Sequence, residues 1–161
     1  MYCTLNMMLF TDALDTKQNV AYKMGNEYLC FDIGNEHYAH SISAITKIIR
    51  YDEPNPVPGS PTNVVGVLNV RGEVMTIISG QKLFHLQPTV PADHWKIILF
   101  DDESSQYGVV VDDVDQLVTF EPRDIEPERS TTGTDFIKGT CQYNDGLLVL
   151  VDFIQESVSL V

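Results

Sequence analysis

Two stretches, Tyr28-Leu-Cys-Phe-Asp-Ile33 and Ile97-Ile-Leu-Phe-Asp-Asp102, decide the fold. Each leads into a polar turn, at Gly34–Glu36 and at Glu103–Ser105. An apolar series then follows: Tyr38, Ile42, Ile45 and Ile48 in the first copy, and Tyr107, Val111, Val114 and Leu117 in the second. The offset is constant, since 97 − 28, 107 − 38 and 114 − 45 all give 69. A second pair comes after it. Gly66-Val-Leu-Asn-Val-Arg-Gly-Glu-Val-Met-Thr-Ile-Ile78 aligns with Gly139-Thr-Cys-Gln-Tyr-Asn-Asp-Gly-Leu-Leu-Val-Leu-Val151 at an offset of 73 (139 − 66). A repeat fixes architecture before any local assignment. The order of long hairpin, proline-rich connection and glycine-led hairpin, twice over, reads as two similar β-subdomains, each too small to be comfortable alone.

The segments between agree. Glu27–Ile33 and His37–Ile49 read as strands rich in β-branched and aromatic residues, joined by a turn at Gly34–Glu36. Tyr51–Pro61 carries Pro54, Pro56, Pro58 and Pro61, which remove backbone donors and resist both helix and central strand. Val64–Val70 and Glu73–Ile78 form a hairpin with Arg71-Gly72 at its tip, where Gly72 supplies the positive φ of a tight turn. Ser79–Leu86 suits a helical turn or two. In the second half, Trp95–Asp101 and Gln106–Phe120 are strands, Glu121–Arg129 is a polar crossing, and Ile137–Tyr143 and Gly146–Asp152 close on an Asn144-Asp145-Gly146 turn. Phe153–Ser157 suits a further helical turn. About ten short strands with little helix specify an all-β barrel or sandwich. Residues 1–26 have no clean period and read as an arm, poorly ordered or with a short helix. The rest, 27–161, reads as one domain of two intertwined β-subdomains, approximately 27–90 and 91–161.

The chain of 161 residues has a formal net charge of −13. That argues against duplex nucleic acid or an anionic membrane as partner, since both demand a basic face. Cys3, Cys30 and Cys141 are odd in number and lack a Cys-x-x-Cys spacing, which suits a reducing cytosol better than a disulfide framework. The apolar N-terminus lacks a basic n-region and is broken by Thr4 and Asn6, so neither a secretory signal nor a membrane span is expected.

No catalytic constellation emerges, and no cofactor or metal is expected. His37, His40, His85 and His94 lack metal-ligand spacing and read as surface or rim residues. His37 and His40, three apart in a strand, point to opposite faces. Asp101-Asp102 and Asp112-Asp113 are adjacent pairs, so neither is a ready dyad. No nucleophile elbow, phosphate loop or dinucleotide fingerprint is present. Met7, Met8 and Met75 look like packing residues. Weight therefore shifts to binding, through exposed edges and the grooves between sub-barrels.

The run Gly66-Val-Leu-Asn-Val-Arg-Gly72 resembles the Gly-Val-Ile-Asn-Leu-Arg-Gly hairpin of CheW-like chemotaxis coupling proteins. Tyr28–Tyr38, Val57–Pro61, Tyr107–Val114, Asp124–Pro127 and Phe136–Gly139 resemble further family segments in the same order, covering roughly Glu27 to Asp152. The resemblance implies two side-by-side five-stranded SH3-like β-barrels with short helical turns. It implies a cytoplasmic adaptor, recruited to membrane-associated receptor arrays. Such an adaptor couples the cytoplasmic tip of a chemoreceptor to the regulatory domain of a CheA-type histidine kinase and catalyses nothing. Carried over by position, the receptor-facing candidates are Ile45, Lys47, Asn69, Arg71 and Ile97, and the kinase-facing candidates are Pro61, Val64 and Val65. Arg71 could instead clamp neighbouring backbone carbonyls, and Ile45 and Ile97 equally suit the core of two strands.

The chain departs from the family pattern at Lys47, where a glutamate is usual, and at Ser79-Gly80-Gln81, where Asp-Leu-Arg is common; its terminal helix is short or missing. These departures bear on receptor contact more than on fold. Two other readings stand beside the adaptor. One is a scaffold of the same fold in a non-swimming system, such as pilus motility or array localisation. The other is a small-ligand-binding or hydrolytic barrel with Asp112 or His40 at the base of a pocket.

Overall fold

The computed structural model describes residues 26–101, 105–129 and 136–153. Residues 1–25 of the expected arm at 1–26, the turn residues 102–104, and all but Phe153 of the expected helical turn at Phe153–Ser157 lie outside them. The strands are β1 (Glu27–Ile33), β2 (Glu36–Ser41), β3 (Ile45–Arg50), β4 (Val64–Val70), β5 (Glu73–Ser79), β6 (Lys96–Asp101), β7 (Gln106–Val111), β8 (Asp113–Thr119), β9 (Glu126–Pro127), β10 (Ile137–Tyr143) and β11 (Gly146–Val151). Among the described residues one short helix, α1 (Gly80–Leu83), and the 3-10 turns Ile42–Ala44, Ala92–His94 and Pro122–Asp124 accompany them. Among the described residues no helix is long and apolar enough to cross a membrane.

The strands form two sheets, in the orders β8-β1-β2-β11-β10-β9 and β3-β6-β7-β5-β4. The fold is all-β, as expected, with the two-residue β9 as a sixth strand of the first sheet. The sequence repeat is exact in register. The bulge between Val64 and Gly66, where β4 meets β5, recurs between Ile137 and Gly139, where β10 meets β11. Arg71 and Gly72 at one tip (φ 51 and 85) match Asn144 and Asp145 at the other (φ 48 and 62). Two consecutive positive φ values match the twist of a two-residue hairpin turn. Gly66 and Gly139 mark the same crossing. A Cβ would stand 2.3 Å from Asn55 O at the first and 2.5 Å from Glu126 O at the second, so only glycine lets the chain pass there.

The sequence halves are not the spatial halves. The first sheet takes β1 and β2 from the first repeat and β8 to β11 from the second; the other takes β3 to β5 from the first and β6 and β7 from the second. The boundary near residue 90 therefore separates repeats, not sheets. The exchange happens at two breaks where a single long strand is the simpler expectation. In the first, Ser41 Oγ accepts the Ser43 N–H and the 3-10 turn Ile42–Ala44 redirects the chain. In the second, the chain bends at Asp112, whose N–H donates to Asp32 O. Among the described residues the only parallel pairings, β2 with β11 and β5 with β7, each join one repeat to the other.

The exchange explains why the strands read as continuous apolar runs. Leu29, Phe31 and Ile33 of β1 face a central core that they share with Ile98 and Phe100 of β6, while Cys30 faces a second cluster with Ala39, Cys141, Leu148 and Leu150. Ile97 and Leu99 face a third cluster with Leu68, Met75, Ile77 and Val110. Each sheet thus covers its own small core and contributes to a common one, so both faces of β1 and β6 are apolar. Burial holds the Cys30 thiol up at about 12, which keeps it a packing residue.

Candidate functional site

The most prominent feature offered to a partner is the β4–β5 hairpin. Asn69 Oδ1 accepts the Gly72 N–H at 2.9 Å and fixes the turn from inside. Arg71 sits at that tip in the left-handed region, which is uncommon for a long side chain. It is exposed, and among the described residues it has no ion-pair partner. A guanidinium so placed can meet a carboxylate through two parallel hydrogen bonds. Val74, in the strand after the tip, is 67% exposed, and its repeat counterpart Leu147 is 52% exposed.

The other sequence candidates divide sharply. Lys47 is half-buried on β3, opposite Leu99, just past a bulge between Ile45 and Lys47. Ile45 and Ile97 are fully buried, Ile45 in the central core and Ile97 in the core of the second sheet. Neither offers a side chain to a partner in this conformation. Pro61 is exposed; Val64 and Val65 are half-buried, packed on the central core and on the second sheet's core respectively. The hairpin tip is therefore the part of the candidate set that is both exposed and rigidly held.

Asp112 and His40, the residues considered for the base of a pocket, are both held by internal hydrogen bonds. Asp112 is buried, its Oδ1 accepting Gln81 Nε2–H at 2.8 Å and its Oδ2 accepting the Thr89 N–H at 2.8 Å and the Thr89 hydroxyl at 3.3 Å. The Ser79-Gly80-Gln81 departure falls here. Ser79 Oγ caps α1 by accepting the Lys82 N–H at 3.2 Å, and Gln81 ties α1 to the carboxylate. His40 is not a rim residue. It is 1% exposed, its Nδ1–H donates to Ser41 O at 2.9 Å, and its Nε2 accepts the Phe153 N–H at 3.1 Å. No motif marks this burial, because both of its partners, the Ser41 carbonyl and the Phe153 N–H, are backbone groups. His37, on the opposite face, is exposed and pairs with Asp32 at 2.6 Å. Burial raises the Asp32 carboxyl above its ordinary range, and the His37 contact opposes that. Among the described residues no group of three or more His, Cys, Asp or Glu could hold a metal ion.

A family model described as "CheW-like domain" matches residues 27–155. The chain is 28% identical over 132 residues to the chemotaxis protein CheW of Klebsiella aerogenes, covering 80% of each chain. It is 28% identical over 133 residues to that of Bacillus subtilis, covering 81% of this chain and 85% of the relative. In structure it is similar to the scaffolding protein TtCheW of Thermoanaerobacter tengcongensis, with a TM-score of 0.71 at 21% identity, covering 79% of this chain and 88% of that one. That likeness supports the fold; the family match and the relatives carry the rest. The chain belongs to the CheW-like domain family and is a chemotaxis adaptor.

Proposed function

We propose that this adaptor bridges the cytoplasmic tip of a chemoreceptor to the regulatory domain of a CheA-type histidine kinase in the cytoplasm, at membrane-associated arrays. The observation that carries the reading is the β4–β5 tip: an exposed arginine without an ion-pair partner among the described residues, held in a left-handed conformation by an internal Asn69–Gly72 bond. Strain at an exposed position is kept where it orients a group for a partner. Arg71 and Lys47 are the receptor-facing cations, and Pro61 with the exposed rims of Val64 and Val65 forms the kinase-facing flank. Coupling arises because both partners bias one rigid body, so each changes the other's equilibrium. Cytoplasmic placement rests on the family and on Cys30 and Cys141, both free and buried.

The test is reconstitution. Receptor tips on vesicles, kinase and this protein are combined and kinase autophosphorylation is measured with and without attractant. The proposal requires receptor control of the kinase only when the adaptor is present. Equal control without it would refute the bridge.

A further inference from the structure

We propose that His40 is a proton-operated latch at the joint between the two halves of the molecule, closed when its Nε2 accepts the Phe153 N–H and opened when Nε2 takes a proton and turns to Asp152. The latch goes beyond the bridging reading and does not depend on it.

The position is a keystone. His40 lies in β2 directly opposite Val151 of β11, in the parallel pairing that joins the first repeat to the second. Its ring packs on Phe100 of the other sheet at 4.7 Å between centroids and stacks on Phe153 at 5.5 Å. Phe153 is itself buried among Phe31, Phe84, Phe100 and Phe136, with centroids 5.8 to 6.3 Å away. The Phe153 N–H, donating to this ring, thus ties down the plug that fills the common core.

The hydrogen bonds fix the tautomer. With Nδ1–H donating to Ser41 O, Nε2 is a lone-pair acceptor and the ring is neutral. A proton at Nε2 sets two donors, its own N–H and that of Phe153, against each other. The same proton has an alternative acceptor, since Asp152 Oδ1 stands 3.9 Å from Nε2 on a side chain that reaches solvent. The two arrangements are distinct and mutually exclusive, which is what a switch demands. Among the described residues other charge near the ring is sparse. Lys138 of β10 and the Tyr28 phenol of β1 line the adjoining cavity of about 230 Å³ with Ser41, Ser43 and Asp152; from the second sheet His40 meets the Phe100 ring. Burial lowers the imidazole's affinity for its proton, and the Ser41 carbonyl and Asp152 push the other way. The latch is therefore closed near neutrality and opens as the pH falls below the ordinary histidine range.

Amide exchange and the His40 ring resonances are followed by NMR on the full chain from about pH 7.5 to about pH 5. The latch predicts that the protection factor of the Phe153 amide falls about tenfold per pH unit below the ordinary histidine value. The fall should precede the His40 ring titration, which lies lower because burial lowers the folded ring's proton affinity, while core amides such as Val109 stay protected. In His40→Gln, whose Oε1 accepts the same N–H without titrating, Phe153 protection should be flat with pH. In Asp152→Asn, His40 should titrate at lower pH and the opening should move with it. Phe153 protection that does not change with pH in the wild type, that falls equally in His40→Gln, or that is lost together with every core amide would overturn the latch. Should His40→Gln not fold, the Asp152→Asn shift and the wild-type comparison of Phe153 with Val109 decide the matter.

Discussion

Substitution of Arg71 by alanine and by glycine separates partner contact from folding. The residue sits at φ 51, where an L side chain is disfavoured by roughly 1–2 kcal/mol. Glycine adopts that conformation freely but loses about 0.5–1 kcal/mol of chain entropy on folding. Arg71→Gly should therefore stabilise the fold by about 0.5–1 kcal/mol. Arg71→Ala retains the strain and removes a guanidinium that has no ion-pair partner among the described residues. Its effect on stability should lie within about 0.5 kcal/mol. If the guanidinium meets a receptor carboxylate, losing that contact costs about 1.5–3 kcal/mol, or roughly 10- to 100-fold in Kd. Urea unfolding and calorimetric titration with receptor tips, run on both variants, read the two effects separately. The expected pattern is weaker receptor binding in both, with stability unchanged in one and raised in the other. A drop in stability beyond about 1.5 kcal/mol for Arg71→Ala, with binding lost only in proportion to the unfolded fraction, would show that the arginine clamps its own hairpin.

Three further outcomes follow from the packing. Ile45→Ala should destabilise by about 2–5 kcal/mol while binding per folded molecule holds; normal stability with lost binding would place Ile45 in the interface instead. Asp112→Ala strips the acceptor from Gln81 and from two groups of Thr89, at about 1–3 kcal/mol per stranded group, so thermal unfolding should fall well below wild type. A shift smaller than about 0.5 kcal/mol would mean water replaces the carboxylate. For His40 the folded proton affinity is lowered by burial, so the unfolded chain takes up the proton first as pH falls. Its contribution is complete above the unfolded value of about 6.5 and declines through the acid window below it. Urea titrations should show stability falling from about pH 6.5 to pH 5 with a smaller slope in His40→Gln, and equal slopes would contradict the buried neutral ring.

Much of this fold can be read in advance, and one misreading is instructive. The duplication, the glycine-led hairpins and both tips are legible because turn residues and bulge glycines carry rigid backbone requirements. The exchange of strands between sheets escapes the reading of His37–Ile49 and Gln106–Phe120 as unbroken strands; its mark is the parity of the apolar residues and not their identity. Tyr38 and Ile42 fall on even positions, Ile45 on an odd one; Tyr107 and Val111 are odd, Val114 even. All six lie in the central core. A straight strand cannot keep one face through a change of parity, so the chain breaks at Ile42–Ala44 and at Asp112. At the candidate site, Arg71 and Asn69 were visible because a tip is exposed by construction. Ile45 and Ile97 were ambiguous because strands buried on both faces have no polar face to mark the inside. The burial of His40 was invisible, since its partners are the Ser41 carbonyl and the Phe153 amide, backbone groups every residue possesses.

The bridging role is tested most directly by sedimentation velocity on this protein mixed with the isolated kinase regulatory domain and a soluble receptor-tip bundle, separately and together. Both partners are expected to bind, and all three components to sediment as one complex, with Arg71→Ala losing the receptor bundle while retaining the kinase domain. Failure to bind either partner, or two partners that displace each other from the adaptor, would contradict the bridge.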